Sequence, residues 1–146
     1  MIVLDTSALI DAVLDQPAAE WVLDQIADNE VSAPAHQPAE VLSALARLVR
    51  SAQLELHPAR DALDEAMALP QRFVRSTAVH LRRAFALRER IRVVDGLYVV
   101  LADELDCALV TTDRRLATAD APCEIRIPPA RTGRSAAFPV PPPRSQ

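Results

Sequence analysis

The sequence predicts an α/β fold in which helices cover both faces of a central parallel sheet of four to five strands. Half of the 146 residues are apolar, which is enough to bury the core of a single domain. Short apolar runs alternate along the chain with longer segments of helical periodicity. Because parallel strands are joined by helical crossovers, this alternation favours a three-layer α/β/α arrangement.

The strands are predicted at short runs that are bounded by polar residues or proline and are too short for helices. The first run ends directly at Asp5, and another run comes shortly before Asp113. Consecutive apolar residues are typical of strands that are buried on both faces. The predicted strands cover residues 1–4, 31–33, 73–75, 108–111 and 124–127.

The helices are predicted where apolar residues recur every three or four positions. In the clearest of them Val41 and Leu45 follow this spacing, with Glu40 in the first turn. Thr6 or Ser7 can cap the first helix, and a proline suits the first turn of the second. The predicted helices cover residues 6–15, 17–29, 38–52, 58–69, 78–90 and 95–106.

One domain is expected over residues 1–127, followed by a tail that is rich in proline. The prolines of residues 128–146 disfavour any packed continuation, so the tail is predicted to be disordered. No stretch has the length and apolarity of a membrane span, and the amino terminus lacks the pattern of a signal peptide. A cytoplasmic protein without a membrane partner is therefore predicted.

The charges are distributed unevenly along the chain. The net charge of −4 argues against a protein that coats nucleic acid, because phosphate contacts need a basic surface. However, the stretch from Pro70 to Val94 is rich in arginine. This stretch is either a solvated helix face or a rim that binds phosphate, since the guanidinium fork matches phosphate geometry. Three histidines, His36, His57 and His80, are expected at the surface, without a role as metal ligands.

Four acids stand where predicted strands end or predicted helices begin: Asp5, Glu40, Asp95 and Asp113. The carboxyl ends of parallel strands share one edge of the sheet, where open α/β folds bind their ligands. If the first and fourth strands are neighbours, we expect these carboxylates to converge. Each acid alone has a local explanation as a strand-end residue, a helix cap or a first-turn acid, so it is the set that indicates a site.

The chemistry of such a set points to a divalent cation. Carboxylates that share a cleft without a basic partner repel each other, and one of them stays protonated unless a cation neutralises them. Oxygen ligands of this kind select Mg²⁺ or Mn²⁺ rather than zinc. One or two such ions can activate water and stabilise the attacking and leaving oxygens of a phosphodiester displacement.

These acids lie in segments that resemble the four motifs of PIN-domain nucleases, and most closely those of the VapC toxins of bacterial toxin–antitoxin systems. The segments are Asp5-Thr6-Ser7-Ala8-Leu9, Glu40-Val41-Leu42-Ser43-Ala44-Leu45, Asp95-Gly96-Leu97-Tyr98-Val99 and Val110-Thr111-Thr112-Asp113-Arg114-Arg115-Leu116. The resemblance covers about residues 1–127. It implies a PIN-like fold, RNA cleavage that depends on Mg²⁺ or Mn²⁺ and inhibits growth, a homodimer, and inhibition by a VapB-type antitoxin.

The resemblance also implies roles for individual residues. The four acids correspond to the catalytic metal ligands, with Asp5 and Asp113 as the central pair and Glu40 and Asp95 completing the coordination. Ser7 and Thr111 correspond to hydroxyls that support the site. Arg114 and Arg115 are candidates to hold the RNA backbone, with a plain helix surface as the alternative. Gly96 stands where the family often has alanine, which is expected to be harmless.

Some alternative functions are excluded by the sequence, and two remain open. The only two glycines, Gly96 and Gly133, exclude dinucleotide-binding and P-loop motifs, and Ser7 replaces the second aspartate of a dehalogenase-type phosphatase. A metal-dependent DNA nuclease of the flap-endonuclease type remains open, although such chains are usually longer. A PIN-like module that binds without cleaving also remains open, although the intact acids argue against it.

Overall fold

The computed structural model describes residues 1–130, which form five strands and seven helices. The strands are β1 (Ile2–Leu4), β2 (Val31–Pro34), β3 (Arg72–Val74), β4 (Ala108–Val110) and β5 (Ile125–Arg126). The helices are α1 (Thr6–Val13), α2 (Ala19–Ala27), α3 (Gln37–Arg50), α4 (Leu56–Ala68), α5 (Ala78–Ala86), α6 (Val93–Glu104) and α7 (Arg114–Ala117).

The five strands form one parallel sheet in the order β3-β2-β1-β4-β5. Strand β1 is central, and its residue Leu4 is in register with Val110 of β4. The predicted neighbour relation between the first and fourth strands is therefore confirmed. The pairing continues past the strand end, because the amide of Asp5 donates a hydrogen bond of 2.9 Å to the carbonyl oxygen of Val110.

The sheet has a hydrophobic core on each face, as the α/β/α prediction requires. Successive side chains of a strand point to opposite faces, so Ile2 and Leu4 pack with helices α1 to α4, while Val3 packs with α6. All three side chains have no exposed surface. The three-layer fold with a parallel sheet of five strands is confirmed.

Helices α5 and α6 pack closely against each other because α6 contains Gly96. A Cβ atom added at this glycine would lie 3.3 Å from the Cβ atom of Ala84 and 3.4 Å from its Cα atom. Alanine at this position therefore needs α5 to move by a few tenths of an ångström.

His80 is buried between these two helices, so its expected surface position is wrong. It is 5% exposed and completes a capping box with Thr77 at the start of α5. The Thr77 amide donates to His80 Nδ1 at 3.1 Å, which leaves the proton on Nε2 to bond Glu104 of α6. No periodicity in the sequence marks such a contact between helices. His57 is exposed and lies 3.5 Å from Asp61, and His36 is half-buried.

The main differences from the predicted elements lie at helix boundaries. Helix α6 begins at Val93 rather than Asp95, α5 ends at Ala86 rather than near residue 90, and the short helix α7 was not predicted. Within residues 1–130 no helix is both long and apolar enough to cross a bilayer. Most of the predicted disordered tail, residues 131–146, lies outside the described residues.

Candidate functional site

A cleft of about 270 Å³ opens at the carboxyl ends of β1 and β4, where the sequence predicted a site. All four predicted acids line it: Asp5, Glu40, Asp95 and Asp113. Each reaches it from a different element, since Asp5 follows β1, Glu40 and Asp95 lie in the first turns of α3 and α6, and Asp113 precedes α7. The predicted convergence of these side chains is thus present in the structure.

Asp5 lies at the floor of the cleft and is only 5% exposed. Ser7 Oγ and Thr111 Oγ1 both donate hydrogen bonds to its Oδ2 atom, at 2.8 and 2.7 Å. Burial raises the pKa of Asp5 to about 6, and the negative charges of Asp95 and Glu40 add to the rise, while the two hydroxyls oppose it. Because both hydroxyls bond Oδ2, Oδ1 is left for another ligand.

The direction of the two hydroxyls is fixed by the loop that follows β4. The amide of Thr112 donates to Ser7 Oγ at 3.2 Å, and the amide of Asp113 donates to Thr111 Oγ1 at 3.1 Å. Hydroxyl oxygens that accept from these amides can turn their protons towards Asp5. Ser7 and Thr111, which were predicted to support the site, thus join β1 to the loop that carries Asp113.

Glu40 is held by a tyrosine that the sequence analysis did not assign to the site. Tyr98, on α6, has no exposed surface and donates a hydrogen bond of 2.7 Å from its hydroxyl to Glu40 Oε1. Thr6 Oγ1 lies 2.7 Å from the same tyrosine hydroxyl, and His36 Nε2 lies 3.1 Å from Glu40 Oε1. Burial alone would raise the pKa of Glu40, but His36 and Tyr98 outweigh it and lower the pKa below its usual value.

Tyr98 keeps its proton, which makes it a reliable donor. Burial raises its pKa well above the usual range for tyrosine, and the neighbouring charge of Glu40 acts in the same direction. A signal for this role was present in the sequence, because Tyr98 is the only tyrosine of the chain and falls within an apolar helix. A buried tyrosine hydroxyl generally needs a hydrogen-bond partner.

The other two acids are paired with arginines, which corrects the expectation of a cleft without basic partners. Arg92 Nε and Nη2 lie 2.9 and 3.2 Å from the two carboxylate oxygens of Asp95. Arg115 Nε and Nη2 lie 3.0 and 2.7 Å from those of Asp113 and lower the pKa of that carboxyl below its usual value. A third arginine, Arg47 of α3, also lines the cleft.

The two arginines that were predicted to hold RNA differ in their surroundings. Arg115 lies in the cleft on Asp113, whereas Arg114 is turned away and donates from Nη2 to the carbonyl oxygen of Pro128 at 3.2 Å. The structure therefore brings Arg115 into the site and leaves Arg114 outside the cleft lining. Arg92 was noted only as part of the arginine-rich stretch, although its spacing of three residues before Asp95 permits the pair on a helix.

The residues of the cleft fit a hard divalent cation by type, but the acids are not arranged as a finished cage. Carboxylate and hydroxyl oxygens are the ligands that Mg²⁺ and Mn²⁺ prefer. Within residues 1–130, however, no three His, Cys, Asp or Glu side chains are close enough together to hold one metal ion. Arg92 pairs with Asp95 and Arg115 with Asp113, so these ion pairs would have to open before one ion could bind both acids.

Comparison with known proteins shows what this chain is similar to. The family model described as the PIN domain matches residues 2–122. Ribonuclease VapC1 of Mycobacterium tuberculosis is 38% identical over 131 residues, which cover 86% of this chain and 96% of the relative. Ribonuclease VapC3 of the same organism is 37% identical over 119 residues, which cover 81% of this chain and 86% of the relative.

A solved structure supports the fold independently. The crystal structure of VapBC2 from Rickettsia felis, bound to a DNA fragment from its promoter, contains a chain that superimposes with a TM-score of 0.63 at 18% identity. The match covers 87% of this chain and 98% of the other.

Proposed function

This chain belongs to the PIN-domain family as a ribonuclease of the VapC type, and from this we propose that it cleaves RNA with Mg²⁺ or Mn²⁺ held by Asp5, Glu40, Asp95 and Asp113. The observation that carries the proposal is the meeting of these four carboxylates in one cleft at the carboxyl edge of the sheet. Cleavage would occur within the RNA chain, so the protein acts as an endoribonuclease.

When bound by these acids, Mg²⁺ or Mn²⁺ would supply a Lewis acid for activating water and stabilising charge on the phosphodiester. The protein's own residues orient its ligands. Ser7 and Thr111 fix Asp5 through Oδ2 and leave Oδ1 for another ligand, and Tyr98 fixes Glu40 through Oε1. Such second-layer hydrogen bonds generally keep a ligand in position and are worth 10-fold to 100-fold in metal affinity or activity.

RNA is proposed as the substrate for two reasons, which are the names of the relatives and the arginines that line the cleft. The printed names of the relatives are those of ribonucleases. Arg47 and Arg115 line the cleft beside the acids and can contact phosphates of a bound strand. Cleavage of DNA is the alternative activity. Comparing the cleavage rates of DNA and RNA of the same sequence distinguishes the two.

We further propose that the protein is the toxin of a toxin–antitoxin pair, inhibited by a VapB-type antitoxin. The structural neighbour is a VapBC pair, and most of its chain is covered by the match. An apolar groove between α3 and α4 could take an antitoxin helix, because Leu42 and Leu56 at its edge are more than half exposed. A cytoplasmic location follows from the proposed RNA substrate.

A homodimer is proposed as the working assembly. Helix α5 and the start of α6 expose apolar side chains, among them Val79, Phe85 and Val93, which are 55%, 61% and 47% exposed. Exposed apolar groups that lie near each other mark surfaces for association. Light scattering coupled to size exclusion, at several concentrations, measures the assembly directly.

The proposed function is tested by cleavage of a labelled RNA pool in EDTA, and then after Mg²⁺ or Mn²⁺ is restored. We expect no cleavage in EDTA and full recovery with metal. Glu40→Gln should lower the rate by more than about 100-fold, since it removes a metal ligand. Asp64→Asn is the matched control, because Asp64 is an exposed acid of α4 outside the cleft. Cleavage that continues undiminished in EDTA would rule out the metal mechanism.

A further inference from the structure

Two arginines at the rim of the cleft are bound to the very carboxylates that the proposed metal needs. Arg92 and Arg115 are 68% and 78% exposed, yet the guanidinium of each donates hydrogen bonds to both oxygens of one acid. Exposed arginine side chains are free to extend into solvent. These two instead cover Asp95 and Asp113, half of the proposed metal-binding set.

These two ion pairs limit which other ligands Asp95 and Asp113 can bind in the metal-free protein. A guanidinium that bonds both oxygens of a carboxylate leaves little of it for another ligand. A divalent ion that binds Asp95 or Asp113 therefore has to displace an arginine. Because exposed ion pairs shift an equilibrium by only about fivefold or less, a divalent ion shared by several carboxylates can displace them.

The third arginine of the cleft provides an internal comparison. Arg47 lines the same cleft but makes no ion pair with an acid of residues 1–130. It carries the same charge as Arg92 and Arg115 and differs in lacking a carboxylate partner. An effect that arises from the pairing itself should therefore appear at Arg92 and Arg115 and be absent at Arg47.

We propose that Arg92 and Arg115 are exchangeable counter-ions: they neutralise Asp95 and Asp113 in the metal-free protein, leave them when metal binds, and then hold phosphates of the RNA strand. This proposal rests on the proposed function. Each guanidinium gives up one anion and gains another, so neither the arginines nor the carboxylates are left without a counter-ion. The planar fork that now matches a carboxylate matches a phosphate equally well.

A consequence is that metal and RNA assist each other's binding. Metal frees two guanidiniums for RNA, and RNA phosphates that hold the guanidiniums leave the carboxylates open for metal. Coupling between two ligands is reciprocal, so each must raise the affinity of the other by the same factor. Metal-free protein should accordingly bind RNA weakly, mainly through Arg47.

The first test measures Mn²⁺ affinity by calorimetry on the full chain after removal of metal with EDTA. We expect Arg92→Gln and Arg115→Gln each to bind Mn²⁺ about two- to fivefold more tightly than Arg47→Gln, the size of an exposed ion pair. The Arg47 variant accounts for the general effect of losing one positive charge near the metal. Equal affinities for all three variants would overturn the proposal.

The second test observes the guanidiniums of the unaltered protein. Nuclear magnetic resonance of the arginine Nε–H groups during a Mg²⁺ titration should show the Arg92 and Arg115 signals moving, while those of Arg47 and Arg114 stay nearly fixed. The single Arg→Gln variants assign the signals. Signals of Arg92 and Arg115 that remain unchanged at saturating Mg²⁺ would show that both ion pairs persist, which contradicts the exchange.

The third test addresses the RNA half of the proposal. At saturating metal, the double variant Arg92→Gln/Arg115→Gln should raise KM for RNA by roughly tenfold with a smaller change in kcat, because phosphate contacts act mainly in substrate binding. A fall in kcat alone would contradict this role. If the unaltered protein takes up neither Mn²⁺ nor Mg²⁺, the metal-dependent function fails as well. If it binds metal but the arginine variants behave like Arg47→Gln, only the exchange fails.

Discussion

The four acids of the cleft form two pairs that the protein holds in different ways. Asp5 is held by the hydroxyl groups of Ser7 and Thr111, and Glu40 by the hydroxyl group of Tyr98 together with His36. Asp95 and Asp113 are held by the guanidiniums of exposed arginines. Within residues 1–130 no arginine pairs with Asp5 or Glu40, whereas Asp95 and Asp113 are neutralised by exposed guanidiniums that can leave.

This difference separates two physical tasks within one site. A hydroxyl fixes the direction of a carboxylate and leaves its negative charge available to a cation. A guanidinium removes the repulsion between acids at a small free-energy cost when it is released. Variants at Asp5, Thr111 and Tyr98 test the first pair of acids, and their effects should equal or exceed those of the arginine variants.

The largest effect is expected from Asp5→Asn. The change removes a proposed metal ligand but keeps an oxygen that accepts from Ser7 and Thr111, so the fold should be preserved. RNA cleavage should fall by more than about 100-fold, beyond the loss typical of second-layer groups. The measurement is the initial rate of RNA cleavage at saturating Mg²⁺, with circular dichroism as the check on folding.

The same variant should change how stability depends on pH. The pKa of Asp5 is raised from 3.8 to about 6, so the folded protein binds more protons than the unfolded chain between these values. The contribution of Asp5 to the free energy of unfolding is thus greatest at low pH, falls as the pH rises from about 4 to about 6, and is constant above that. The fall is on the order of 3 kcal/mol.

Urea denaturation in EDTA at a series of pH values from 4 to 8 measures this effect. The free energy of unfolding of Asp5→Asn should not show this decrease with pH, so the variant should be more stable than the unaltered protein at pH 7.5. Equal stability of the two proteins across the whole range would show that Asp5 is not desolvated. The comparison is made without metal, because bound metal would restore the stability of the protein that keeps Asp5.

A smaller effect is expected from Thr111→Val, which removes one donor to Asp5 and keeps the shape of the side chain. Without this hydrogen bond the pKa of Asp5 should rise further, and the carboxylate should be less well oriented. We expect Mn²⁺ affinity at pH 7 to fall about 10-fold to 100-fold, as measured by calorimetry. Thr111→Ser retains the hydroxyl and should bind nearly as well as the unaltered protein. Equal losses in both variants would mean that the methyl group, not the hydroxyl, is required.

The smallest of these effects is expected from Tyr98→Phe. The ring stays packed, but Glu40 and Thr6 lose a buried hydroxyl partner. The free energy of unfolding should fall by about 1 kcal/mol, the usual value of one hydrogen bond, and cleavage should slow by about 10-fold because Glu40 is less firmly placed. Urea denaturation and cleavage rates measure the two effects. Unchanged cleavage would show that Glu40 is placed by His36 and its helix alone.

Much of the fold could be predicted because its signals are local. The run from Ile2 to Leu4, the apolar spacing of α3 and the acids after β1 and β4 are all visible in short segments of sequence. Parallel strands then bring their carboxyl ends to one edge. The helix boundaries were predicted less accurately, since α6 starts two residues before Asp95. The short helix α7 was missed because four residues are too few to show a periodic pattern.

The sequence by itself determined that four acids stand where strands end or helices begin, because strand and helix periodicities are properties of neighbouring residues. The strand order that places β1 beside β4 and brings these acids to one cleft is a property of the tertiary structure. The family resemblance had named Ser7 and Thr111 as supporting hydroxyls, but only the tertiary structure showed which atoms they bond and that Tyr98 bonds Glu40. The bonds from Tyr98 to Glu40 and from Thr111 to Asp5 span 58 and 106 residues. Such bonds depend on side-chain directions that are set only when the helices pack on the sheet, so no pattern in a short segment of sequence predicts them.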